Sequence, residues 1–366
     1  MNHIAIDLGS RESQICVRNS EGLILEEQRR PTTALGKYLK TKEKGRVVLE
    51  TCAEAFAIAD AAREAGHDVT VVPSKLVRML GVGDRGIKND VRDAQNLSKV
   101  SCRLEELPSV HVPGEQSRER KAISAMRESL VEVRTKLVNT TRSWLRTQGV
   151  GVLPGGTLPT FPGRYRRHVE KKTGKPVPGY VNRVLQAIEE LNPKVAEADK
   201  DLESIATQDP TCKLLMTAPG VGPVTAVRFT AAIDDVSRFQ DGHGVESYLG
   251  LIPGENSSGD AKKRHMKGIT KAGPPRVRWA LTQAAWTAMR CRKHDPMVEW
   301  ARQIEERRGK KVAVMALVRK LAGVLYAMWR DGKPYDPHHE SKVKAAATQP
   351  GDTATGSGVT ATPTAP

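Results

Sequence analysis

Aromatic residues are scarce in this chain of 366 residues, where Phe, Trp and Tyr together make up 4%. That scarcity argues against an extended stacking platform for single-stranded nucleic acid. Cysteine is equally thin. Cys16, Cys52, Cys102, Cys212 and Cys291 are odd in number, scattered, and never form Cys-x-x-Cys. They exclude a disulfide framework and a cysteine zinc site, and fit a reducing cytoplasm. Long apolar runs are missing too. The stretch 312–329 is interrupted by Arg319 and Lys320, and no charge-free run approaches the ~20 residues a membrane span needs. The opening Met1-Asn2-His3-Ile4-Ala5-Ile6-Asp7 has neither the basic region nor the apolar core of a secretion signal. Acids are outnumbered, 42 against 58 Lys+Arg, leaving a net charge of +16. The expectation is a cytoplasmic protein, not membrane-bound, with a polyanionic partner such as nucleic acid.

What is present is globular in character: 39% hydrophobic and 27% charged residues, over a length that suits two or three domains. Ile4, Ile6 and Leu8 alternate with Ala5, Asp7 and Gly9 as in a strand. Ile15 and Val17 follow, Asn19-Ser20-Glu21-Gly22 makes a turn, and Leu23-Ile24-Leu25 continues. A short helix around 34–39 precedes a buried strand at 47–49. A helix over 53–65 stops at Gly66, and Val69-Thr70-Val71-Val72 is a further strand closed by Pro73. Three meandering strands and then alternating helix and strand predict an α/β domain with a mixed sheet, ending near residue 112.

Beyond it, Ile123, Met126, Leu130, Val133, Leu137, Thr140 and Trp144 are spaced as a heptad seam. Val181, Val184, Ile188, Leu191, Val195, Ala198, Leu202 and Ile205 repeat the pattern. The two runs predict either an antiparallel hairpin within one chain or an oligomerisation arm. Pro193 should kink the second. Between the runs, 149–179 is rich in Gly and Pro and basic. Helices resume from about 214 to 335, and the Ala/Thr/Gly/Pro-rich tail after Lys344 is expected to be disordered.

Four carboxylates carry the chemistry. Asp7 sits mid-strand among apolar residues, where it is costly to bury unless paired or metal-bound. Glu50 ends the strand Val47-Val48-Leu49-Glu50 and could lie beside it. Asp90 and Asp93, three apart, share one face of any helix they open. Such a cage of oxygens suits one or two magnesium ions, which stabilise the attacking and leaving oxygens of a phosphoryl transfer. Taken singly, Asp7 could serve a turn, and Asp90 could merely cap the helix that Asp93 joins. A second constellation runs through Pro253-Gly254-Glu255-Asn256-Ser257-Ser258-Gly259, then Lys262, Lys263, Arg264, His265, Lys267 and Gly268-Ile269-Thr270-Lys271. A serine among cations can attack phosphate when a base or metal helps remove its proton, although a Gly/Ser/Lys loop is often merely solvated. The turn Pro219-Gly220-Val221-Gly222-Pro223 is similar to a helix-hairpin-helix element, in which backbone amides of Gly220 and Gly222 could face a phosphate; a tight helix–helix connection reads the same way. No histidine shows metal-ligand spacing with cysteine.

Asp7, Glu50 and the Lys88-Asn89-Asp90-Val91-Arg92-Asp93-Ala94 element resemble the DEDD pattern of transposases of the insertion-sequence 110 family, with Asn89 where that family usually has Thr. The Ser-Ser-Gly block and Gly-Ile-Thr-Lys-Ala-Gly look like its C-terminal domain. The resemblance implies an α/β RNase H-like (RuvC-like) catalytic domain over 1–112 and a helical coiled-coil segment over 113–207. A mainly α transposase domain with the helix-hairpin-helix-like element would span 208–340, and a disordered tail 341–366. It implies magnesium on Asp7, Glu50, Asp90 and Asp93, and a serine joined covalently to DNA, best matched by Ser258 with Ser257 as fallback. Lys262, Lys263, Arg264, Lys267 and Lys271 would contact nucleic acid. Arg276, Arg278, Trp279, Gln283 and Trp286 fit the helix that follows, its tryptophans expected in the core. Donor and target DNA, a noncoding bridge RNA, and assembly as a dimer or tetramer through the coiled coil are implied as well.

Three rivals remain. Ile-Ala-Ile-Asp-Leu-Gly-Ser also looks like the first phosphate motif of actin-like ATPases and sugar kinases, whose second phosphate loop would fall at Asp241-Gly242-His243-Gly244. A RuvC-like junction-resolving endonuclease would use the carboxylates without serine chemistry and leave residues 206–335 without a task. A non-catalytic scaffold would gain nothing from acids that repel phosphate.

Overall fold

The computed structural model describes residues 1–74, 90–256 and 265–338. The described chain separates into two compact units, Met1–Gly114 and Glu115–Pro366.

The first unit is a five-stranded sheet in the order β3-β2-β1-β4-β5. Its strands are β1 (Asn2–Asp7), β2 (Glu12–Arg18), β3 (Ile24–Pro31), β4 (Gly45–Glu50) and β5 (Asp68–Val72). The first three are antiparallel, while β4 and β5 run parallel to β1. The alternation of the sequence divides the sheet into two faces. Ile4, Ile6, Ile15, Val47 and Leu49 pack under helices α1 (Leu35–Lys40) and α2 (Ala55–Glu64). Ala5, Val48 and Val72 face the other way, onto Leu97 of helix α3 (Asp90–Arg103) and onto Leu107. Burying each such aliphatic side chain stabilises the unit by roughly 1.5–3 kcal/mol. The predicted mixed sheet is the observed one, and its order is compatible with an RNase H-like fold.

The second unit is mainly helical. Helices α4 (Glu115–Thr147) and α6 (Gly179–Gln208) flank α5 (Phe161–Thr173), and are followed by α7 (Pro210–Leu215), α8 (Pro223–Ile233) and α9 (Gly242–Tyr248). A two-stranded ribbon of β6 (Pro253–Asn256) and β7 (His265–Ile269) then leads to α10 (Pro275–Cys291), α11 (Pro296–Arg308) and α12 (Lys310–Asp331). Arg120 meets Asp209, Arg127 meets Asp199, Arg134 meets Asn192 and Trp144 meets Tyr180. These pairs descend one helix as they climb the other, so α4 and α6 form an antiparallel hairpin within the chain. Helix α6 continues through Pro193 without a break.

The burial departs from the predicted seam on α4. Met126 and Val133 are exposed, at 68% and 49%, while Ser117, Ser124, Val138, Thr141 and Leu145 are buried. The buried stripe lies one residue past the apolar one. Ser124 sits there because α8 packs against α4 and Arg228 donates to its carbonyl oxygen. On α6, Val181, Ile188, Val195 and Leu202 are buried as the pattern predicts. Helix α12 has the length and apolarity of a membrane span, yet half of that window is buried. Leu317, Leu321 and Leu325 belong to the core it forms with α8, α10 and α11.

Candidate active site

The sheet register fixes where the carboxylates fall. Ile6 lies opposite Leu49 in the parallel pair β1–β4, so the next step sets Asp7 beside Glu50. Both are half-buried. Alternation turns them away from the Ile6/Leu49 face and toward the side that α3 covers.

Helix α3 is clamped to that side by polar contacts. His3 Nδ1 and the Ser101 hydroxyl lie 2.8 Å apart, Ser98 donates to Cys16 Sγ at 3.2 Å, and Arg18 donates to Ser98 at 2.9 Å. Burial, with Arg46 nearby, lowers the pKa of His3. Cys16 is the register partner of Ala5, so Ser101 lies level with His3 and Ser98 with Ala5. The helix therefore runs antiparallel to β1. Five residues back from Ser98, at ~1.5 Å each, match the two strand steps of ~3.3 Å from Ala5 to Asp7. Asp93, half-buried one turn before Leu97, comes level with Asp7.

Asp90 sits one turn earlier and is exposed. Arg29 donates to its Oδ2 at 3.2 Å and lies 3.6 Å from Glu12. Arg29 is the register partner of Gln14, and Gln14 of Asp7, so the pair holds Asp90 to the same row of the sheet. All four predicted carboxylates thus share one face at one end of the sheet. They do not close into a cluster: among the described residues, no three His, Cys, Asp or Glu side chains lie near enough to hold a metal ion. The donor set consists of carboxylate oxygens, the hard ligands that magnesium takes. Two acids in the first turn of α3 also suit its helix dipole, worth about 0.3–1 kcal/mol each, whatever else they do.

The loop after Asp7 is braced. Thr32 donates to the Gly9 carbonyl at 2.7 Å and meets Ser13 at 2.8 Å. A Cβ on Gly9 would stand 2.3 Å from the Glu12 carbonyl oxygen, so the Asp-Leu-Gly sequence has a steric cause.

Ser257, Ser258, Lys262, Lys263 and Arg264 lie outside the described residues, between the ends of β6 and β7. Lys267 belongs to β7, with only its backbone described. Lys271 is exposed at φ 57, at the base of the ribbon, where its amide donates to the Gly250 carbonyl. Gly220 and Gly222 part company. Gly220 has φ +76, and a Cβ there would meet the Ala284 carbonyl oxygen at 2.1 Å, so it lets the turn press on α10. Gly222 caps α8 and borders open space. Asp241 accepts from the Gly244 amide at 2.8 Å; this segment caps α9 and begins no phosphate loop after a strand.

The expected core position of Trp279 is wrong. It is 46% exposed, with the Arg228 guanidinium 5.7 Å from its ring, whereas Trp286 packs against the core. Arg278 donates to the Leu249 and Gly273 carbonyls, and burial lowers its pKa. Arg276 pairs with Glu128, which also holds the buried Arg228. Of the basic residues on α10, Arg278 is therefore engaged with backbone carbonyls, and Arg276 is exposed but paired with Glu128. Arg29 and Arg228 are not legible in the sequence, since neither stands in a motif and each is placed by a partner distant in sequence.

Two family models match the chain. Residues 4–148 match the DEDD transposase model of the IS110 type, and residues 212–297 match the transposase IS116/IS110/IS902 family. The chain is 26% identical over 343 residues to the transposase for insertion sequence element IS1328 of Yersinia enterocolitica, covering 90% of this chain and 97% of that one. It is 25% identical over 336 residues to the IS1111A transposase of Coxiella burnetii, covering 89% and 88%. A putative transposase of Sinorhizobium fredii, y4qE, is 31% identical over 302 residues, covering 74% and 72%. With two family models in the order that the motifs foretell, and a relative above 30% identity across most of both chains, this protein belongs to the IS110 family of DEDD transposases and is a DNA transposase.

Proposed function

We propose that the protein is an insertion-sequence recombinase that cuts and rejoins DNA through two sets of residues. Asp7, Glu50, Asp90 and Asp93 would hold magnesium in an RNase H-like domain, and Ser258 would be the nucleophile. What supports the first set is their common row: Asp7 and Glu50 at adjacent strand ends, on the face that α3 covers with Asp93. When bound, magnesium supplies neutralisation of charge on the attacking and leaving oxygens of phosphoryl transfer. Arg29 stands as counter-ion to Asp90 and limits carboxylate repulsion before nucleic acid arrives.

Ser258 Oγ would attack the scissile phosphorus. Its bond to phosphorus forms as the P–O bond to a deoxyribose oxygen breaks, and the proton lost by serine is matched by one gained on the leaving hydroxyl. Attack by a second DNA hydroxyl then reverses the exchange and releases the serine. Lys262, Lys263, Arg264, Lys267 and Lys271 would neutralise phosphates around the exchange, and the Gly222 end of α8 would offer its amides to the backbone. A noncoding bridge RNA would select donor and target, and the enzyme would work as a dimer or tetramer.

Trapping on denaturing gels tests the serine directly. Wild-type protein with magnesium and element-end DNA should give a covalent adduct, and Ser258→Ala should give none while Ser257→Ala retains it. Loss only in Ser257→Ala would move the nucleophile by one residue. An adduct in the double variant would assign the covalent bond to another nucleophile, whereas DNA cleavage by wild type with no adduct at all would leave the junction-resolving endonuclease.

A further inference from the structure

The far end of the α4–α6 hairpin is built almost without acid. From residue 133 to residue 188 the only carboxylate is Glu170, while Lys and Arg occur eleven times. The chain as a whole has 58 basic to 42 acidic residues, so this segment departs sharply from its surroundings. Its core explains how the charges are displayed. Phe161, Tyr165 and Val169 of α5 bury themselves against Val138, Leu145, Leu185 and Ile188, and Tyr165 donates to the Thr141 carbonyl at 2.8 Å. The polar faces of α4 and α5 are thereby turned outward together.

Only part of that charge is answered within the protein. Arg166 forms a bidentate pair with Glu189, and Arg164 is wrapped by the carbonyls of Pro154, Gly155 and Thr157. Arg142, Arg146, Arg167 and Lys171 are exposed, and among the described residues no ion pair engages them. The Arg142 guanidinium lies 5.5 Å from the Phe161 ring centre, while the residue as a whole stays exposed. Arg142 and Arg146, one turn apart, line a cleft of about 290 Å³ with Asn139 and the 151–153 loop. A longer groove of about 710 Å³ continues along α4 past Ser143, Asn139, Lys136 and Thr135; Glu128 and Glu132 line its remaining length, so the stretch suited to phosphate is the part from Thr135 toward the tip. Arginine, lysine, hydroxyl and amide groups in a row are the side chains that grip phosphate and sugar rather than read bases.

We infer that this hairpin end and the adjoining stretch of α4 bind the phosphate backbone of duplex DNA. A duplex suits it better than a single strand. Of the aromatic rings of this tip, Phe161 and Tyr165 are buried, and the exposed Tyr180 is held edge-on by Trp144, which donates to its hydroxyl. Successive unpaired bases find little to stack on. DNA is the polymer on which the proposed reaction acts, and the inference rests on that reading.

The test uses full-length protein and a random-sequence DNA duplex of about 30 base pairs, with an RNA duplex of equal length alongside. Binding is measured from low to high salt. Replacing Arg142, Arg146, Arg167 and Lys171 by Gln should weaken DNA binding at least tenfold near physiological salt. It should also reduce the salt slope by roughly 3, since each neutralised phosphate contributes about 0.9. Removing four exposed charges elsewhere in the same unit, at Arg290, Arg307, Arg308 and Lys311, should leave the slope within about 1 of wild type. Equal effects from the two quadruple variants would overturn the inference, and so would a loss confined to RNA. Failure of wild type to bind any duplex would instead strike the DNA-acting reading itself. The substituted residues are exposed, and an unchanged circular-dichroism melt confirms that the fold is kept.

Discussion

Gly9 shows how little room the end of β1 leaves. It follows the candidate ligand Asp7 by two residues, its carbonyl accepts from Thr32, and a Cβ would collide with the Glu12 carbonyl oxygen. Because the obstacle is backbone, relief requires the β1–β2 turn to move. Gly9→Ala should therefore cost about 1–3 kcal/mol by the ordinary penalty of overpacking, read as a lower denaturation midpoint with unchanged slope. A midpoint equal to wild type would show that the turn yields freely. At this scale the sequence was informative where chemistry follows strand period. Asp7 and Glu50 end two apolar strands, so their meeting at one edge was legible. Arg29 was not, because its place beside Asp90 depends on the β2–β3 register, and its Glu-Glu-Gln-Arg-Arg neighbourhood reads as solvated edge. Trp279 misled for a related reason: helical spacing suggested core, and the ring stands over Arg228 at the surface instead.

At the scale of elements, the hairpin is held at its base by one carboxylate. Asp209 ends α6, accepts from the Cys212 amide as the cap of α7, and takes a charged bond from Arg120 on α4. Burial alone would raise its pKa, but the Cys212 amide and Arg120 outweigh it and hold the carboxyl below its ordinary value of 3.8. The unfolded chain thus binds the proton more readily than the folded one. The stability that Asp209 contributes is complete above the unfolded pKa and is lost as pH falls through the folded value. Asp209→Asn should lower stability at neutral pH by about 1–3 kcal/mol and flatten the acid limb of the stability curve. Equal acid sensitivity in variant and wild type would assign that limb to other groups. The same hairpin shows where periodicity falls short. On α6 the heptad positions Val181, Ile188, Val195 and Leu202 are buried, together with Leu185 and Ala206 outside the pattern, but on α4 the apolar line yields to Ser117, Ser124 and Thr141. A helix packed against several others takes its register from all of them, and serine fits a close approach that Met126 would block.

For the whole molecule, the excess of 16 positive charges and the placing of the acids describe one division of labour. Carboxylates gather at the end of a mixed sheet in the first unit, while unanswered arginines and lysines display themselves on the helical second unit. On the proposed reading, cations bridge this acidic edge to the phosphates of DNA. The mixed sheet was legible in outline, since short turns join antiparallel neighbours and helical crossovers join parallel ones, whereas the strand order, with β1 between β2 and β4, depends on pairing between distant segments. Asp93→Asn tests the claim most directly, because it removes one charge from the row and spares the apolar contacts of α3. Strand exchange with magnesium should fall at least about a hundredfold, the several kcal/mol that metal-borne charge stabilisation supplies, while DNA affinity stays within about twofold. Recombination at the wild-type rate with intact binding would take Asp93 out of the metal site and contradict the account.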